Sequence, residues 1–323
     1  MAESELERAA EVLSGASEVA LACHVNPDAD ALGAMLGLSS FLRRRGVATV
    51  YSYGNEPLET PRWASLLPGR EDLVPPSRFP ATPSIMVTCD CASFDRLGPL
   101  GSAASGAGEV IWIDHHRSND GSGTIRIVDG EASSTCELVV RLIERMGGPL
   151  DRDVAICLYA GLVTDTGRFQ YQATTPETLR VAAKLREHDF DHADLVRALY
   201  EDQEPGALRL LGTALGRMVE LRDAGVVWTY VTRTDFEEAG VGPADTDDLI
   251  DVLRTARGSD VAVVLKQQND GRFKVSMRSR GAHDLAVVAA AFGGGGHRLA
   301  AGYTSEHGPQ DTIDRLVAAL GSS

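Results

Sequence analysis

Short apolar runs alternate with amphipathic segments over the first half of the chain. Each run is rich in β-branched or aromatic residues and stops at polar ones, a pattern typical of buried strands in a parallel sheet. The segments between the runs repeat apolar residues at helical spacing, so the alternation predicts an α/β fold with a doubly wound parallel sheet. The predicted strands are Val19–Cys23, Val47–Tyr53, Ile85–Cys89, Val110–Ile113 and a short Ile125–Val128, and the predicted helices cover residues 4–14, 32–45, 134–146 and 151–163.

The second half of the chain has a different pattern. Helices predicted over residues 176–200 and 207–221 precede strands and helices in mixed order, which predicts a smaller α+β domain. Its predicted strands are 226–232, 261–268 and 273–277, and its predicted helices are 245–254, 284–292 and 311–320. We expect an N-terminal domain over residues 1–195, a linker helix over 196–215, a C-terminal domain over 216–323, and a cleft between the two domains.

The charge of the chain restricts its partners. The formal net charge is −15, which argues against a protein that coats long nucleic acid. Residues 216–323 hold 12 basic and 15 acidic residues, a balance of −3, so residues 1–215 carry the remaining −12. An acidic half is usually a solvated surface, but it can also contain carboxylates that bind divalent cations.

Targeting features and cysteines indicate the compartment. The N-terminus is acidic and lacks the basic and apolar regions of a secretory signal. The longest apolar run, Leu285–Phe292, is too short to span a bilayer. Five cysteines, mostly in or beside apolar runs, fit buried thiols in a reducing environment better than disulfides. We therefore expect a cytoplasmic protein without a membrane partner.

Histidines and aspartates gather where the predicted elements end. Since the carboxyl ends of parallel strands meet at one sheet edge, we expect these side chains to lie together. So many carboxylates would repel one another unless cations neutralised them, and mixed imidazole and carboxylate ligands suit Mn²⁺, with Mg²⁺ or Fe²⁺ less favoured. One ion cannot use them all, whereas two ions sharing a carboxylate can. The residues are His24, Asp28, Asp30, Asp90, Asp114, His115, His116 and Asp165.

Simpler interpretations exist for each motif. An Asp-His-His tripeptide can be a polar turn, and Asp28 or Asp30 can be merely a helix N-cap. Ser134 to Glu137 reads as a capping box. The run Gly293–Gly296 can be a flexible linker, but it leads directly into His297 and Arg298, and its backbone amides can approach a ligand closely.

Taken together, these motifs closely resemble the DHH phosphoesterase superfamily. The resemblance rests on His24-x-x-x-Asp28-x-Asp30, Asp90 after a strand, Asp114-His115-His116 and Asp165, followed by the glycine run and His297. These motifs cover nearly the whole chain. Within the superfamily the chain looks most like bacterial oligoribonucleases that degrade nanoRNA and dephosphorylate 3′-phosphoadenosine 5′-phosphate (pAp), and their relatives that cleave cyclic dinucleotides.

The resemblance implies a role for each residue. His24 and Asp28 would bind one Mn²⁺, Asp30, His115 and Asp165 the other, and Asp90 would bridge the two ions. His116 would face the scissile phosphate, and Asp114 would orient the histidines. The implied substrate-binding residues are Arg278, Arg280, Gly294, Gly295, Gly296 and His297, within a stretch from 260 to 300 that holds six basic residues and three aspartates. A homodimer is also expected.

Four functions remain open at this stage. The favoured one is Mn²⁺-dependent hydrolysis of nanoRNA of roughly two to five nucleotides, of pAp, and of linear or cyclic dinucleotides such as pApA and c-di-AMP. An inorganic pyrophosphatase or exopolyphosphatase could use the same catalytic half. A processive exonuclease is opposed by the acidic charge, and a catalytically inactive nucleotide-binding regulator is opposed by the intact ligand set.

Overall fold

The computed structural model describes residues 3–116, 119, 122–246 and 249–321, without the side chains of Ala244, Asp245 and His297. The chain divides into two compact units, residues 1–202 and 203–323. Residues 247 and 248 are not among the described residues, so the predicted helix 245–254 lies partly outside them. The finer domain limits and the cleft expected from the sequence stay predictions.

The first unit is built on a parallel five-stranded sheet in the order β2-β1-β3-β4-β5. The chain passes from β1 to its neighbour β2 on one side and from β3 to β4 and β5 on the other. The strand order therefore reverses between β1 and β3, and ligands bind beside the carboxyl ends of the strands at such a switch point. The strands are β1 Glu18–Cys23, β2 Ala48–Tyr53, β3 Ile85–Cys89, β4 Glu109–Asp114 and β5 Ile125–Val128. The helices are α1 Glu3–Ser14, α2 Ala29–Arg44, α3 Gly101–Gly106, α4 Thr135–Arg145, α5 Arg152–Asp165, α6 Pro176–Arg186 and α7 His192–Tyr200.

Both faces of this sheet are covered. Leu21, Val87 and Ile111 point into a large core shared with α1, α2, α4 and α5. Their neighbours Met86 and Trp112 point to the opposite face, into a smaller core that also contains buried residues of segment 97–104. Burial on both faces is the reason why the strands read as continuous apolar runs.

Helices α2 and α5 pack closely against each other at glycines. A Cβ on Gly33 would lie 2.3 Å from the carbonyl oxygen of Cys157, and one on Gly161 would lie 2.4 Å from Cys136 Sγ and 2.7 Å from Asp30 Cα. The close approach is possible only because these positions have no side chain. It brings the beginning of α2 beside the end of α5.

The second unit contains a mixed sheet in the order β10-β11-β9-β8-β7-β6, in which β7 and β8 are parallel and the other pairs antiparallel. Its strands are β6 Val219–Leu221, β7 Val226–Val231, β8 Val261–Gln267, β9 Phe273–Ser279, β10 Gly295–His297 and β11 Ala300–Ser305. Its helices are α8 Pro205–Gly216, α9 Arg233–Ala239, α10 Leu249–Leu253, α11 Leu285–Ala291 and α12 Pro309–Leu320. The predicted fold class, a parallel α/β domain followed by an α+β domain, is confirmed.

Several element limits differ from the prediction. The helix expected over 176–200 is two helices, because Asp191 caps α7 by accepting the N–H of Asp194 at 3.0 Å. The helix expected over 207–221 ends at Gly216, and Val219–Leu221 pairs with β7 instead. The strands β10 and β11 were not predicted. In the part of the chain that the structure describes, we find no helix with the length and apolarity that crossing a bilayer requires.

Candidate metal centre

The predicted ligand residues meet at the carboxyl edge of the parallel sheet. His24 directly follows β1, Asp90 directly follows β3, and Asp114 ends β4 and leads into His115 and His116. Each of the two strands at the switch point, β1 and β3, is thus followed by a side chain that can bind a cation. The side chains of His24, Asp90 and Asp114 are almost completely buried.

Asp28 and Asp30 both cap helices, although not the same one. Asp28 Oδ1 accepts the N–H groups of Asp30 and Ala31 at 3.1 and 3.0 Å, while its Oδ2 lies 3.9 Å from His24 Nε2. Asp30 instead accepts from the start of α4, where Thr135 N–H and Cys136 N–H donate at 2.6 and 2.9 Å. The capping bonds hold each carboxylate in a fixed position. A role as helix cap is therefore compatible with metal binding by the same carboxylate.

The tautomers of two histidines follow from their hydrogen bonds. His24 Nδ1 lies 2.8 Å from the carbonyl oxygen of Val25, and His115 Nδ1 lies 3.4 Å from that of Ala132. A carbonyl can only accept, so Nδ1 carries the proton in both rings. In the neutral ring Nε2 then presents a lone pair, and both Nε2 atoms face carboxylates. This is the arrangement of a histidine that binds a metal through Nε2.

Asp90 lies between the two histidines. Its Oδ2 is 3.5 Å from His24 Nε2, and its Oδ1 is 3.6 Å from His115 Nε2. Its backbone φ of 58° lies in the left-handed region, which aspartate adopts more readily than most residues. Thr135 Oγ1 donates to Oδ1 at 2.8 Å and fixes the carboxylate. Each oxygen of Asp90 therefore faces a different group of donors.

His116 is held by Asp114. The carboxylate Oδ1 of Asp114 lies 2.6 Å from His116 Nδ1 and also accepts the backbone N–H of His116 at 3.2 Å. Asn119 donates to the other oxygen, Oδ2, at 2.7 Å. The buried aspartate thus places the proton on Nδ1 and orients the imidazole ring.

The electrostatics of this edge favour a cation. Burial raises the pKa of the Asp30 carboxyl, and Asp90 adds to the effect, so that it reaches about 6. Burial, followed by Asp30 and Asp90, raises the pKa of Asp165 well above its usual range. Burial alone would lower the pKa of His24, but Asp28 and Asp90 raise it to about 10. The raised pKa values mean that the crowded carboxylates favour protonation of their neighbours and of one another. Divalent ions bound at this edge would supply the same positive charge.

The donor atoms fit metal ions. Asp165 Oδ2 lies 3.2 Å and Asp30 Oδ2 3.9 Å from His115 Nε2. Two ligands at about 2.0–2.2 Å from one ion are separated by about 3–4.4 Å, so these distances are those of donors around a common ion. Among the described residues, three groups have donor atoms within 4.8 Å of one another: His24, Asp28 and Asp90; Asp30, His115 and Asp165; and Asp90, His115 and His116.

The predicted substrate-binding residues of the second unit are only partly together. Arg278, Gly295 and Gly296 line a cavity of about 500 Å³ on the sheet, with Lys274 and Ser276 beside them. Gly294 packs instead against β11, since a Cβ there would lie 2.2 Å from the carbonyl oxygen of Gly302.

Arg280 does not line that cavity. The Arg280 guanidinium donates to the carbonyl oxygens of Arg254 and Ala256, at 2.7 and 3.1 Å. Its described hydrogen bonds therefore hold a loop. The side chain of His297 lies outside the described part of the chain.

The sequence did not identify the residues that hold the ligands. Thr135 serves both Asp30 and Asp90, yet its segment reads only as a helix start. Ser134 does cap α4, but Glu137 accepts from Ser133 and Thr178 at 2.6 and 3.1 Å, so the capping box is incomplete. The polar run Ser133 to Thr135 is fully buried, and nothing in a single sequence marks it as such.

Comparisons with known proteins identify the family of the chain. Residues 18–162 match the N-terminal domain of the DHH family, and residues 223–322 match the DHHA1 domain. The chain is 35% identical to the bifunctional oligoribonuclease and PAP phosphatase NrnA of Thermus thermophilus, over 91% of this chain and 86% of that protein. It is 29% identical to the protein of the same name from Bacillus subtilis, over 92% and 91%.

A solved structure shows the same architecture over nearly the full length. An exopolyphosphatase-related protein from Bacteroides fragilis superposes with a TM-score of 0.93 and 26% identity, over 99% of this chain and 96% of that one. The chain belongs to the DHH family, as its motifs suggested. The curated relatives named above are hydrolytic enzymes.

Proposed function

We propose that this chain hydrolyses phosphoester bonds in very short nucleotides: nanoRNA of roughly two to five residues, pAp, pApA and cyclic dinucleotides such as c-di-AMP. The observation that carries the proposal is the position of Asp90, whose two oxygens face His24 and His115. The substrate class is supported by the relatives from Thermus thermophilus and Bacillus subtilis, which are named as oligoribonucleases and PAP phosphatases.

Two Mn²⁺ ions are the proposed cofactors. We assign His24 and Asp28 to one ion, Asp30, His115 and Asp165 to the other, and Asp90 to both. Such a pair, when bound, supplies an activated water at neutral pH and neutralises charge on the phosphoryl group. Imidazole ligands favour Mn²⁺ over Mg²⁺, and Fe²⁺ accepts the same ligands.

The chain's own residues do the rest of the chemistry. His116 is the proposed proton carrier: with its Nδ1–H held by Asp114, its Nε2 is the atom that would exchange a proton with the reacting phosphate ester. Asp114 orients the ring and stabilises its protonated form. The donor set around His24 and His115 is already assembled, so little reorganisation is needed during the reaction.

We propose that Arg278, Gly295 and Gly296 bind the substrate's distal nucleotide. Arg278 offers bidentate hydrogen bonds to a phosphate, and the glycines leave their backbone accessible in the same cavity. We extend the proposal to Arg280, Gly294 and His297 on family resemblance alone. We also propose that the chain is cytoplasmic and forms a homodimer. Light scattering of the purified chain can test the dimer.

The strongest alternative is an inorganic pyrophosphatase or exopolyphosphatase. It is favoured by the name of the Bacteroides fragilis structure, exopolyphosphatase-related. It would use the same metal centre but would not need the cavity beside Arg278. A regulator that binds nucleotides without hydrolysing them is a second alternative, and it would leave the assembled donor set without a purpose.

A product time course decides between these functions. Chelator-treated protein, resupplied with Mn²⁺ or Mg²⁺, is incubated with pAp, pApA, c-di-AMP, pyrophosphate and a single strand of about 24 nucleotides. We expect hydrolysis of pAp and pApA to mononucleotides, faster with Mn²⁺, and none without metal. Pyrophosphate turnover that exceeds turnover of pApA would favour the alternative, and binding without turnover would favour the regulator.

The same time course tests length selectivity. We expect the rate to fall steeply beyond roughly five nucleotides, since the acidic surface repels a long strand and a terminal phosphate is the proposed anchor. Synthetic RNAs of increasing length at equal concentration measure the effect. Equal rates on dinucleotides and long strands would contradict a site that recognises the chain end.

A further inference from the structure

The turn that carries two proposed metal ligands is conformationally unusual. Asn26 lies between His24 and Asp28 and has a φ of 51°, in the left-handed region. Pro27 follows it and restricts the preceding residue toward extended backbone. A left-handed residue before proline persists only when its surroundings hold it there. The holding contacts therefore determine how His24 and Asp28 face each other.

Asn55, from the loop after β2, makes two of these contacts. Its side-chain Oδ1 accepts the backbone N–H of Asn26 at 2.7 Å, and its Nδ2 donates to the Asn26 side-chain Oδ1 at 2.6 Å. The backbone N–H can only donate, which fixes the orientation of the Asn55 amide and hence the direction of both bonds. The two asparagines form a closed pair across 29 positions of sequence.

The neighbouring residue Val25 is held by two further loops. Its backbone N–H donates to the carbonyl oxygen of Arg96 at 2.8 Å. A Cβ on Gly54 or on Gly98 would come within 2.9 or 2.7 Å of its side-chain Cγ1, so both loops pack tightly against it. Val25 is thus partly buried between these loops, while Asn26 is exposed and its side chain pairs with the Asn55 amide.

We propose that Asn55 is a positioning residue for the half of the metal centre formed by His24, Asp28 and Asp90. This inference rests on the proposed function, because it concerns the same two-ion site. Without the Asn55 amide, Asn26 relaxes from the left-handed region and changes the angle between the two ligands that flank it. Removing the partners that orient metal ligands weakens metal binding by about 10–100-fold.

The test compares Asn55→Ala with Asn269→Ala, an asparagine exposed on the β8–β9 hairpin of the second unit. Calorimetric titration of Mn²⁺ into the metal-free chain measures both metal sites. We expect one site in Asn55→Ala to weaken by about 10–100-fold, the other to stay at the wild-type affinity, and Asn269→Ala to match wild type. The melting temperature of the metal-free variant should stay near the wild-type value, and saturating Mn²⁺ should restore most of kcat.

Three outcomes overturn the proposal or separate it from the proposed function. Wild-type affinity at both sites in Asn55→Ala would show that Asn55 does not position ligands. Loss of both sites together with a lowered melting temperature would assign it to general folding. If the wild-type chain binds two Mn²⁺ ions but hydrolyses no nucleotide, the proposed function fails, while the titration of Asn55→Ala still decides the role of Asn55.

Discussion

At the scale of single residues, the site depends on buried aspartates that would be unstable without partners. Asp90 is 3% exposed and Asp30 is 1% exposed, and burying an unpaired carboxylate costs several kcal/mol. Thr135 donates to both carboxylates, and the three histidines hold the pKa of Asp90 below its usual range against the effect of burial. The protein thus pre-assembles negative charge where the proposed cations would bind.

Replacing Asp90 should abolish every hydrolytic activity at once. Asp90→Ala and the isosteric Asp90→Asn both remove the charge that faces His24 and His115, so we expect at least about a thousand-fold loss of kcat on both pAp and pApA. Thr135→Val is the matched comparison, because it removes the hydrogen bond to Asp90 and keeps the carboxylate. Full pAp cleavage by Asp90→Asn, with only pApA cleavage lost, would contradict a shared role for this residue.

The ligand candidates could be predicted from the sequence, but the residues that hold them could not. His24, Asp90 and His115 each follow an apolar strand, so the strand pattern alone brings them to one sheet edge. Thr135 and Asn55 act across 105 and 29 positions, respectively, on residues of other elements. Such pairs depend on tertiary packing and leave no local pattern, which is why a single sequence does not identify them.

At the scale of elements, the close packing of α2 against α5 affects the candidate metal site. Asp30 lies in the first turn of α2 and Asp165 is the last residue of α5, and both are proposed ligands of the same ion. The two helices approach at Gly33 and Gly161, where any side chain would overlap the facing helix or Cys136. Glycine is normally unfavourable within helices, so its presence here indicates a packing requirement.

Gly161→Ala should therefore lower both stability and metal affinity. The added methyl would overlap Cys136 Sγ and Asp30 Cα, and overpacking of this kind costs about 1–3 kcal/mol of unfolding free energy. Gly212→Ala in α8 is the control: nothing lies within 4 Å of its Cβ, so helix propensity should stabilise that variant by up to about 1 kcal/mol. Urea unfolding and Mn²⁺ titration of both variants measure the effects. An equal gain in stability for the two would show that α2 and α5 can separate freely.

Element prediction was most accurate where the pattern of apolar residues was strong. All five strands of the parallel sheet were predicted: β1 to β4 are buried on both faces, and β5 alternates the buried Ile125 and Ile127 with the exposed Arg126. Strand β10 was not, since Gly295 and Gly296 carry no side chains from which a periodicity could be read. Apart from Tyr303 and Thr304, strand β11 contains only small residues, so it shows no alternation of apolar and polar side chains. Its pairing with β9 depends on contacts that become visible only in the folded chain.

At the scale of the whole molecule, the chain combines an acidic unit that holds the candidate metal centre with a less acidic unit that holds the Arg278 cavity. Each unit has its own hydrophobic core. Among the described residues, Arg278 makes a hydrogen bond to the carbonyl oxygen of Met277 at 3.1 Å, and the structure gives it no carboxylate partner. An arginine in a cavity without a carboxylate partner suits a phosphate better than a structural ion pair.

Arg278→Ala should separate distal binding from chemistry. Losing a charge-assisted contact to phosphate costs about 1.5–3 kcal/mol, which is roughly a 10–150-fold loss in kcat/KM for pApA. Bis-p-nitrophenyl phosphate has no distal phosphate, so its hydrolysis should be nearly unchanged. Because distal binding energy can also align the reacting group, kcat for pApA should fall as well. Arg272→Ala, which removes an exposed arginine paired with Asp270 in the turn between β8 and β9, is the matched control. Measured at saturating Mn²⁺, an equal loss on both substrates would assign Arg278 to the catalytic centre or to the fold, and no loss on either would leave it as a surface charge.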